Sequence, residues 1–192
     1  MPAKPKPAGD IVRLKVTLRG SKPPIWRRLL VPAATRLDRF HYVLLVAFGW
    51  DGGHLHAFEI GGQQYGDPSM LDEADNESRL SLAAIHRAGV KRFTYTYDFG
   101  DDWDHTILIE GIEKPVPGQL YPACTAGKRS GPPEDCGGIY GYGHALAVLA
   151  DPSHPDHAEQ VEFMGEDFDP EEFSAAELTL ALSAAFGSSP GV

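Results

Sequence analysis

Apolar and polar residues alternate along several short stretches of the chain, which is the pattern of half-buried β-strands. From Ile11 to Leu18 the even-numbered residues are apolar, and the positions between them at 13, 15 and 17 are polar. From Lys91 to Phe99 the odd positions 93 to 99 are aromatic and the residues between them are polar. This pattern and similar ones predict strands at residues 11–18, 25–31, 54–60, 91–99 and 104–113. The last two strands are predicted to form a long hairpin with its tip at Gly100–Trp103.

Apolar residues at helical spacing predict a buried helix between the second and third strands. Leu37, Phe40, Leu44 and Phe48 form one stripe, and Thr35 precedes them as a candidate N-cap. Shorter patterns predict helices at residues 81–87, 142–150, 156–164 and 174–186.

The remaining segments predict loops and, with the strands and helices, a fold class. Residues 63–79 are polar and acidic, and residues 115–143 are rich in Pro and Gly. Strands early in the chain and helices late favour a single α+β domain with a largely antiparallel sheet. We expect this domain to cover residues 10–188, after a disordered leader at residues 1–9.

Charge and cysteine content restrict the function classes. The chain of 192 residues has a formal net charge of −10 at pH 7. Duplex-binding proteins gain much of their affinity by neutralising phosphates with Lys and Arg, so we expect no direct nucleic-acid binding. Cys124 and Cys136 are too few for a secreted disulfide scaffold and are predicted to be reduced thiols, with metal binding or one disulfide as alternatives. No apolar run reaches the ~18 residues of a membrane span, and we expect a cytoplasmic protein.

Two histidines on one predicted strand could bind a metal. His54 and His56 are separated by one residue, so their imidazoles would point to the same face of a strand. This spacing allows both to bind one divalent ion, with a carboxylate or third histidine from elsewhere. An aromatic and polar patch beside Trp50 is the alternative.

The predicted hairpin tip is densely acidic. Asp98, Asp101, Asp102 and Asp104 fall within seven positions and are followed by His105. If Asp101 and Asp102 form a two-residue turn, Asp98 lies directly across from His105, and the pair could orient an imidazole as a base or a metal ligand. The alternative is a polar tip whose carboxylates accept hydrogen bonds from turn amides.

A third segment combines rigid and flexible residues. Pro132 and Pro133 precede Glu134 and Asp135, and Gly137 follows within a glycine-rich stretch. These carboxylates suit a cation or a basic partner better than an anion. A tight loop packed against the sheet is the alternative.

Four segments in order carry a resemblance to a known family. They are residues 12–20 with 23–28, Trp50 with residues 54–58, residues 97–103 with His105, and residues 132–138. In these segments the chain resembles the plasmid pRiA4b open-reading-frame-3 family. The resemblance implies an α+β domain with its own architecture and no established activity. A label linking some members to insertion-element passenger or resolvase-like proteins implies a DNA role.

Three hypotheses for function follow from these observations. The first is a binding module with an acidic, aromatic cleft for a basic protein or peptide, whose surface would include Trp50, Trp103, Tyr97, Gly137 and Gly138. The second is a metal-dependent hydrolase-type enzyme. Its candidate ligands to a divalent metal are His54, His56, Asp98 and His105. Its candidate general bases are Asp101, Asp102, Glu134 and Asp135. The third is an accessory protein in mobile-element DNA transactions.

Overall fold

The computed structural model describes residues 9–186, which form one antiparallel-dominated sheet packed with helices. The strands are β1 Ile11–Leu18, β2 Trp26–Pro32, β3 His56–Ile60, β4 Gln63–Gly66, β5 Asp75–Asn76, β6 Arg92–Tyr97, β7 Trp103–Glu113 and β8 Ala123–Lys128. The α-helices are α1 Leu37–Phe48, α2 Leu82–Arg87, α3 Gly138–Leu149, α4 His157–Met164 and α5 Ala175–Phe186. A 3-10 turn, Glu77–Arg79, lies between β5 and α2.

The sheet has the order β5-β4-β3-β6-β7-β1-β2-β8. All neighbouring strands are antiparallel except β4 and β5, which are parallel. The long strand β7 lies near the centre and pairs with β1 on one side and β6 on the other. The predicted single α+β domain with a largely antiparallel sheet is therefore confirmed.

The core lies where α1 packs on the sheet. Phe40 of α1 stacks on Phe58 of β3, with ring centroids 6.1 Å apart, and both side chains are fully buried. Helix α5 packs against β8 and α1, and its Leu182 is also buried. Removing such apolar surface from water is the main favourable term in folding. The apolar stripe that predicted α1 is thus the stripe that faces the sheet.

The start of α1 differs from the prediction. Arg36, with extended backbone and no side-chain capping bond, occupies the N-cap position that Thr35 was expected to fill. Thr35 is instead held by a tertiary contact, because its carbonyl accepts a hydrogen bond from the Leu82 amide at 3.0 Å. The Leu37 amide donates to the Leu80 carbonyl, so a distant segment satisfies the first turn.

Both predicted long loops contain regular structure. Residues 63–79 form β4, β5 and the 3-10 turn, because a tight turn at Gly61 and Gly62, both with positive φ, folds β4 back onto β3. Residues 115–143 contain β8, which pairs with β2, and the start of α3. Glycine disfavours helices locally, and tertiary packing overrides that preference at the start of α3. Strand β3 also begins at His56 rather than His54.

Two further predictions concern the ends of the domain and the absence of a membrane span. Residues 1–8 of the expected leader and residues 187 and 188 of the expected domain lie outside the described residues, so both boundaries stay predictions. None of the helices formed within residues 9–186 is long and apolar enough to cross a bilayer.

Candidate functional site

Three of the motifs meet at one end of the sheet. The Trp50 indole donates a hydrogen bond to the Pro132 carbonyl at 2.9 Å, and the Asp51 amide donates to Glu134 Oε2 at 3.1 Å. On the other side, the Gly137 amide donates to Asp101 Oδ2 at 3.2 Å. The loop after α1, the β6–β7 hairpin tip and the loop before α3 therefore form a single site.

His54 lies between two carboxylates at the centre of this site. Its Nδ1 is 3.4 Å from Asp98 Oδ2, and its Nε2 is 3.4 Å from Asp135 Oδ1. One potential ligand atom from each of the three residues lies within 4.8 Å of the others. Asp98 and His54 were candidates from the sequence as metal ligands, and Asp135 as a base.

The hairpin tip adopts a different register from the predicted one. Tyr95 is opposite His105 and Tyr97 is opposite Trp103, so Asp98 does not face His105. Both Asp98 and Asp102 have positive φ, and the Asp102 amide donates to the Asp98 carbonyl at 2.7 Å. This bond encloses residues 99–101 and excludes the predicted two-residue turn at positions 101 and 102.

Asp98 is positioned by the turn that it closes. Its Oδ1 accepts hydrogen bonds from the Gly100 and Asp101 amides at 2.8 and 3.3 Å. An Asp side chain bonded to amides further along the chain stabilises such a turn and tolerates the left-handed conformation. The second oxygen, Oδ2, is thereby directed towards His54.

His56 belongs to a separate cluster. Its Nε2 is 2.9 Å from Glu77 Oε2, and its ring stacks on His41 with centroids 3.5 Å apart. His41 Nδ1 in turn shares a 2.8 Å hydrogen bond with the Tyr95 hydroxyl. Burial, together with the neighbouring His56, lowers the pKa of His41 to about 3, so His41 is neutral near pH 7. His54 and His56 therefore have different partners.

A cavity of about 520 Å³ connects His54 with this second cluster. His41, His56 and Glu77 lie on its wall. Its remaining charged side chains are Asp38, Arg39 and Asp67. Two residues in this lining were missed by sequence reasoning. His41 lies on the helix predicted from its apolar stripe, and Glu77 lies in a segment that reads as an exposed loop but is 5 % exposed.

His105 contributes a ligand atom to neither cluster and lies in the core between aromatic rings. It is fully buried, and its ring lies against Phe48, Trp50 and Tyr95 with centroid distances of 4.5, 5.4 and 5.6 Å. Burial lowers its pKa to about 3. Its place on the inward face of β7 explains the burial, because alternate residues of that strand are core residues.

The three aromatic residues expected on the cleft surface are buried. Trp50 is 5 % exposed, and Tyr97 and Trp103 are fully buried. Trp50 stacks on both of the others, at 5.1 and 5.7 Å between centroids, so the three form a core cluster beneath the site. This placement corrects the expected surface role, since stacked aromatic rings gain more from each other than from water.

The four candidate bases have distinct environments. Glu134 accepts a short hydrogen bond from the Tyr97 hydroxyl, and Asp101 accepts one from the Gly137 amide. Asp102 is exposed at the tip, and the Asp135 side chain is 72 % exposed beside His54. Glu134 and Asp101 thus have structural partners, whereas Asp135 is free to move.

Gly137 and Gly138 have structural roles: Gly137 adopts a left-handed backbone with φ +82°, and Gly138 allows a close approach. A Cβ on Gly138 would lie 2.2 Å from the Asp101 carbonyl oxygen, so only glycine allows the start of α3 to approach the hairpin tip.

The two cysteines, Cys124 and Cys136, are free thiols, as expected, and burial raises the pKa of Cys136 to about 12. Within residues 9–186, the cluster suited to a metal contains neither cysteine.

Comparisons with known proteins identify the family of the chain. Residues 10–177 match the sequence profile of the Plasmid pRiA4b ORF-3-like protein family. The uncharacterized protein y4hQ of Sinorhizobium fredii (strain NBRC 101917 / NGR234) is 40 % identical over 177 residues, covering 90 % of this chain and 91 % of that protein. A crystal structure of a protein of unknown function, MM3350 from Methanosarcina mazei Go1, superposes with a TM-score of 0.82 at 36 % identity, covering 88 % of this chain and 97 % of that one. The chain therefore belongs to the Plasmid pRiA4b ORF-3-like protein family.

Proposed function

We propose that the protein is a binding module that captures a lysine- or arginine-bearing peptide in the cavity beside α1. A cavity of about 520 Å³ is in the range of binding sites for small molecules and side chains. Its described walls carry three carboxylates, from Asp38, Asp67 and Glu77, and the cation of Arg39, while Arg36 just outside the lining pairs with Asp38 at 3.0 Å. The excess of negative charge favours a cationic group.

The burial of the Glu77 carboxylate in the cavity wall is the main support for the proposal. It lines the cavity although it is only 5 % exposed, and its Oε2 is bonded to His56. Taking a carboxylate out of water is costly unless its oxygens find charged or hydrogen-bonding partners. A ligand ammonium or guanidinium would supply a second partner at the cavity wall.

The rest of the cavity suits the stem of such a side chain. His41 stays neutral above acid pH because its pKa is lowered to about 3, so it does not repel a cation. At the rim, Tyr42 and Met70 are 51 % and 62 % exposed. An aromatic ring and a thioether can cover the methylene groups of lysine or arginine while the charged end reaches the carboxylates.

Peptide binding at controlled salt tests the proposal. A fluorescein-labelled peptide rich in Lys and Arg should bind in polarisation assays at low ionic strength and weaken as salt is added, and a Glu-rich peptide of equal length should not bind. Glu77→Gln should weaken binding by at least tenfold, since a charge-assisted hydrogen bond contributes roughly 1.5–3 kcal/mol. Glu166→Gln, at an exposed site outside the cavity, is the matched control.

A second variant separates binding from folding. Tyr42→Ala removes an exposed ring at the rim, so it should leave stability nearly unchanged and still weaken the basic peptide. Equal affinity for the basic and acidic peptides, or no binding of the basic peptide at low salt, would overturn the proposal.

A further inference from the structure

We propose that His54, Asp98 and Asp135 form a binding site for one divalent transition-metal ion. This site goes beyond the peptide-binding proposal, because two of its three residues, Asp98 and Asp135, lie outside the lining of the cavity. The three side chains come from the loop after α1, the β6–β7 hairpin tip and the loop before α3. Imidazole and carboxylate are the ligand types that Zn²⁺ and Mn²⁺ accept in proteins.

One distance in the cluster matches that between two ligands of one ion. Donor atoms about 2.0–2.2 Å from a tetrahedral zinc lie about 3.3 Å from each other. His54 Nδ1 and Asp98 Oδ2 are 3.4 Å apart, whereas Asp135 Oδ1 lies 3.4 Å from the other ring nitrogen, Nε2. One donor atom from each of the three residues lies within 4.8 Å of the other two. Rotation of the exposed Asp135 side chain would bring its carboxylate to the same ion as His54 Nδ1 and Asp98.

Asp98 supplies an independent reason to expect a cation. The residue is only 8 % exposed, and its Oδ1 is occupied by two turn amides. Within residues 9–186, Oδ2 makes no hydrogen bond, and the His54 imidazole lies 3.4 Å from it. The Asp98 side chain is 11 % exposed, and a largely buried carboxylate with one oxygen free of hydrogen bonds is stabilised by a cation at that oxygen.

The geometry also specifies which atoms bind. The two ring nitrogens of His54 face different carboxylates, so a single ion uses only one of them. Nδ1 lies beside Oδ2 of the buried Asp98, which the turn holds in place. The Asp135 side chain is 72 % exposed and free to rotate towards the same ion. One histidine and two carboxylates leave further coordination positions for water, as in metal sites that activate it.

Metal binding to the untagged protein tests this proposal without any peptide. Calorimetric titration of the apo protein with Mn²⁺ or Zn²⁺, and elemental analysis after dialysis, should give one ion per chain. Asp135→Asn should weaken binding at least tenfold, and His54→Ala should abolish stoichiometric binding. Asp102→Asn is the matched control, because Asp102 is also exposed with a positive φ, and Asn tolerates that conformation as Asp does.

The outcomes distinguish this proposal from the peptide-binding one. Asp135 is exposed, so its variant is expected to fold, and thermal unfolding of each variant verifies this. Absence of stoichiometric metal in the wild type, or equal binding by wild type, Asp135→Asn and His54→Ala, would overturn the metal site. Glu77→Gln should weaken peptide binding and leave metal binding unchanged, and Asp135→Asn should do the reverse.

Discussion

At the scale of single residues, the Tyr97 hydroxyl links two loops that are distant in sequence. It accepts a hydrogen bond from the Gly52 amide at 3.1 Å and donates one to Glu134 Oε1. Burial and the hydrogen bond to Glu134 raise the pKa of Tyr97 above its usual value, so the hydroxyl remains a donor at any ordinary pH. A buried ring with a polar end can therefore organise the site without being exposed in it.

We expect Tyr97→Phe to lower the free energy of unfolding by about 1–3 kcal/mol, because it leaves the Gly52 amide and a Glu134 oxygen without partners. Urea unfolding measures the change. Tyr42→Phe is the control, since the Tyr42 side chain is 51 % exposed and its hydroxyl can bond to water. An equal change in both variants would contradict the role given to the Tyr97 hydroxyl.

The pair formed by Tyr97 and Glu134 also makes a prediction about coupling. If the two side chains act through one hydrogen bond, the double variant Tyr97→Phe/Glu134→Gln should be less destabilised than the sum of the single variants, by roughly 0.5–3 kcal/mol. A complete cycle of urea unfolding curves gives this coupling energy. Strict additivity would show that the contact contributes nothing to stability.

At the scale of elements, the β6–β7 hairpin shows what local sequence determines. Aromatic residues alternating with polar ones identify β6, and the aliphatic residues of positions 107–109 identify β7, because each strand has one face in the core. The predicted pairing register of the two strands, by contrast, was wrong. The register depends on the left-handed backbone conformation of Asp98 and Asp102, which the alternation of residue types does not encode. The predicted Asp98–His105 pair failed for that reason.

The approach of α3 to the hairpin tip gives a prediction for this scale. Gly138 has φ +64°, and an added Cβ would lie 2.2 Å from the Asp101 carbonyl oxygen. Gly138→Ala should therefore destabilise the fold by more than about 1 kcal/mol, through strain and displacement of the helix start. Gly143→Ala, inside the same helix and with no atom within 4 Å of the added Cβ, should be neutral or stabilising by up to about 1 kcal/mol. Thermal and urea unfolding measure the stability of both variants. A Gly143→Ala protein less stable than Gly138→Ala would refute the packing argument.

At the scale of the whole molecule, long-range packing decides which histidines share a site. His54 and His56 are neighbours in sequence, yet His54 meets Asp98 and Asp135 while His56 meets Glu77 and His41. Their separation arises because β3 begins at His56, which leaves His54 in the preceding loop. The sequence identified the motifs that form the site, and only the packing of α1 and the 3-10 turn on the sheet brings His41 and Glu77 beside His56.

Buried neutral histidines give the whole molecule a specific sensitivity to acid. His105 and His41 have pKa values lowered to about 3 by burial, whereas in an unfolded chain each titrates near 6.5. Below about pH 6.5 the unfolded chain therefore binds protons that the native protein does not, and each of these histidines should cost about 1.4 kcal/mol of stability per pH unit down to about pH 3. Above pH 6.5 neither contributes a pH dependence.

We therefore expect the free energy of unfolding that is lost between pH 7.5 and pH 5 to be about 2 kcal/mol smaller in His105→Leu than in the wild type. The variant lacks one of the two histidines whose protonation is linked to unfolding. Urea unfolding at pH 7.5, 6 and 5 measures the slope in each protein. His86→Gln is the control, since His86 is exposed on α2, and its slope should equal that of the wild type. The absolute stability of His105→Leu reports on packing, whereas the slope reports on the proton alone. Identical slopes for wild type and His105→Leu would mean that the imidazole on β7 can be protonated in the native protein, and that the core around it opens to water.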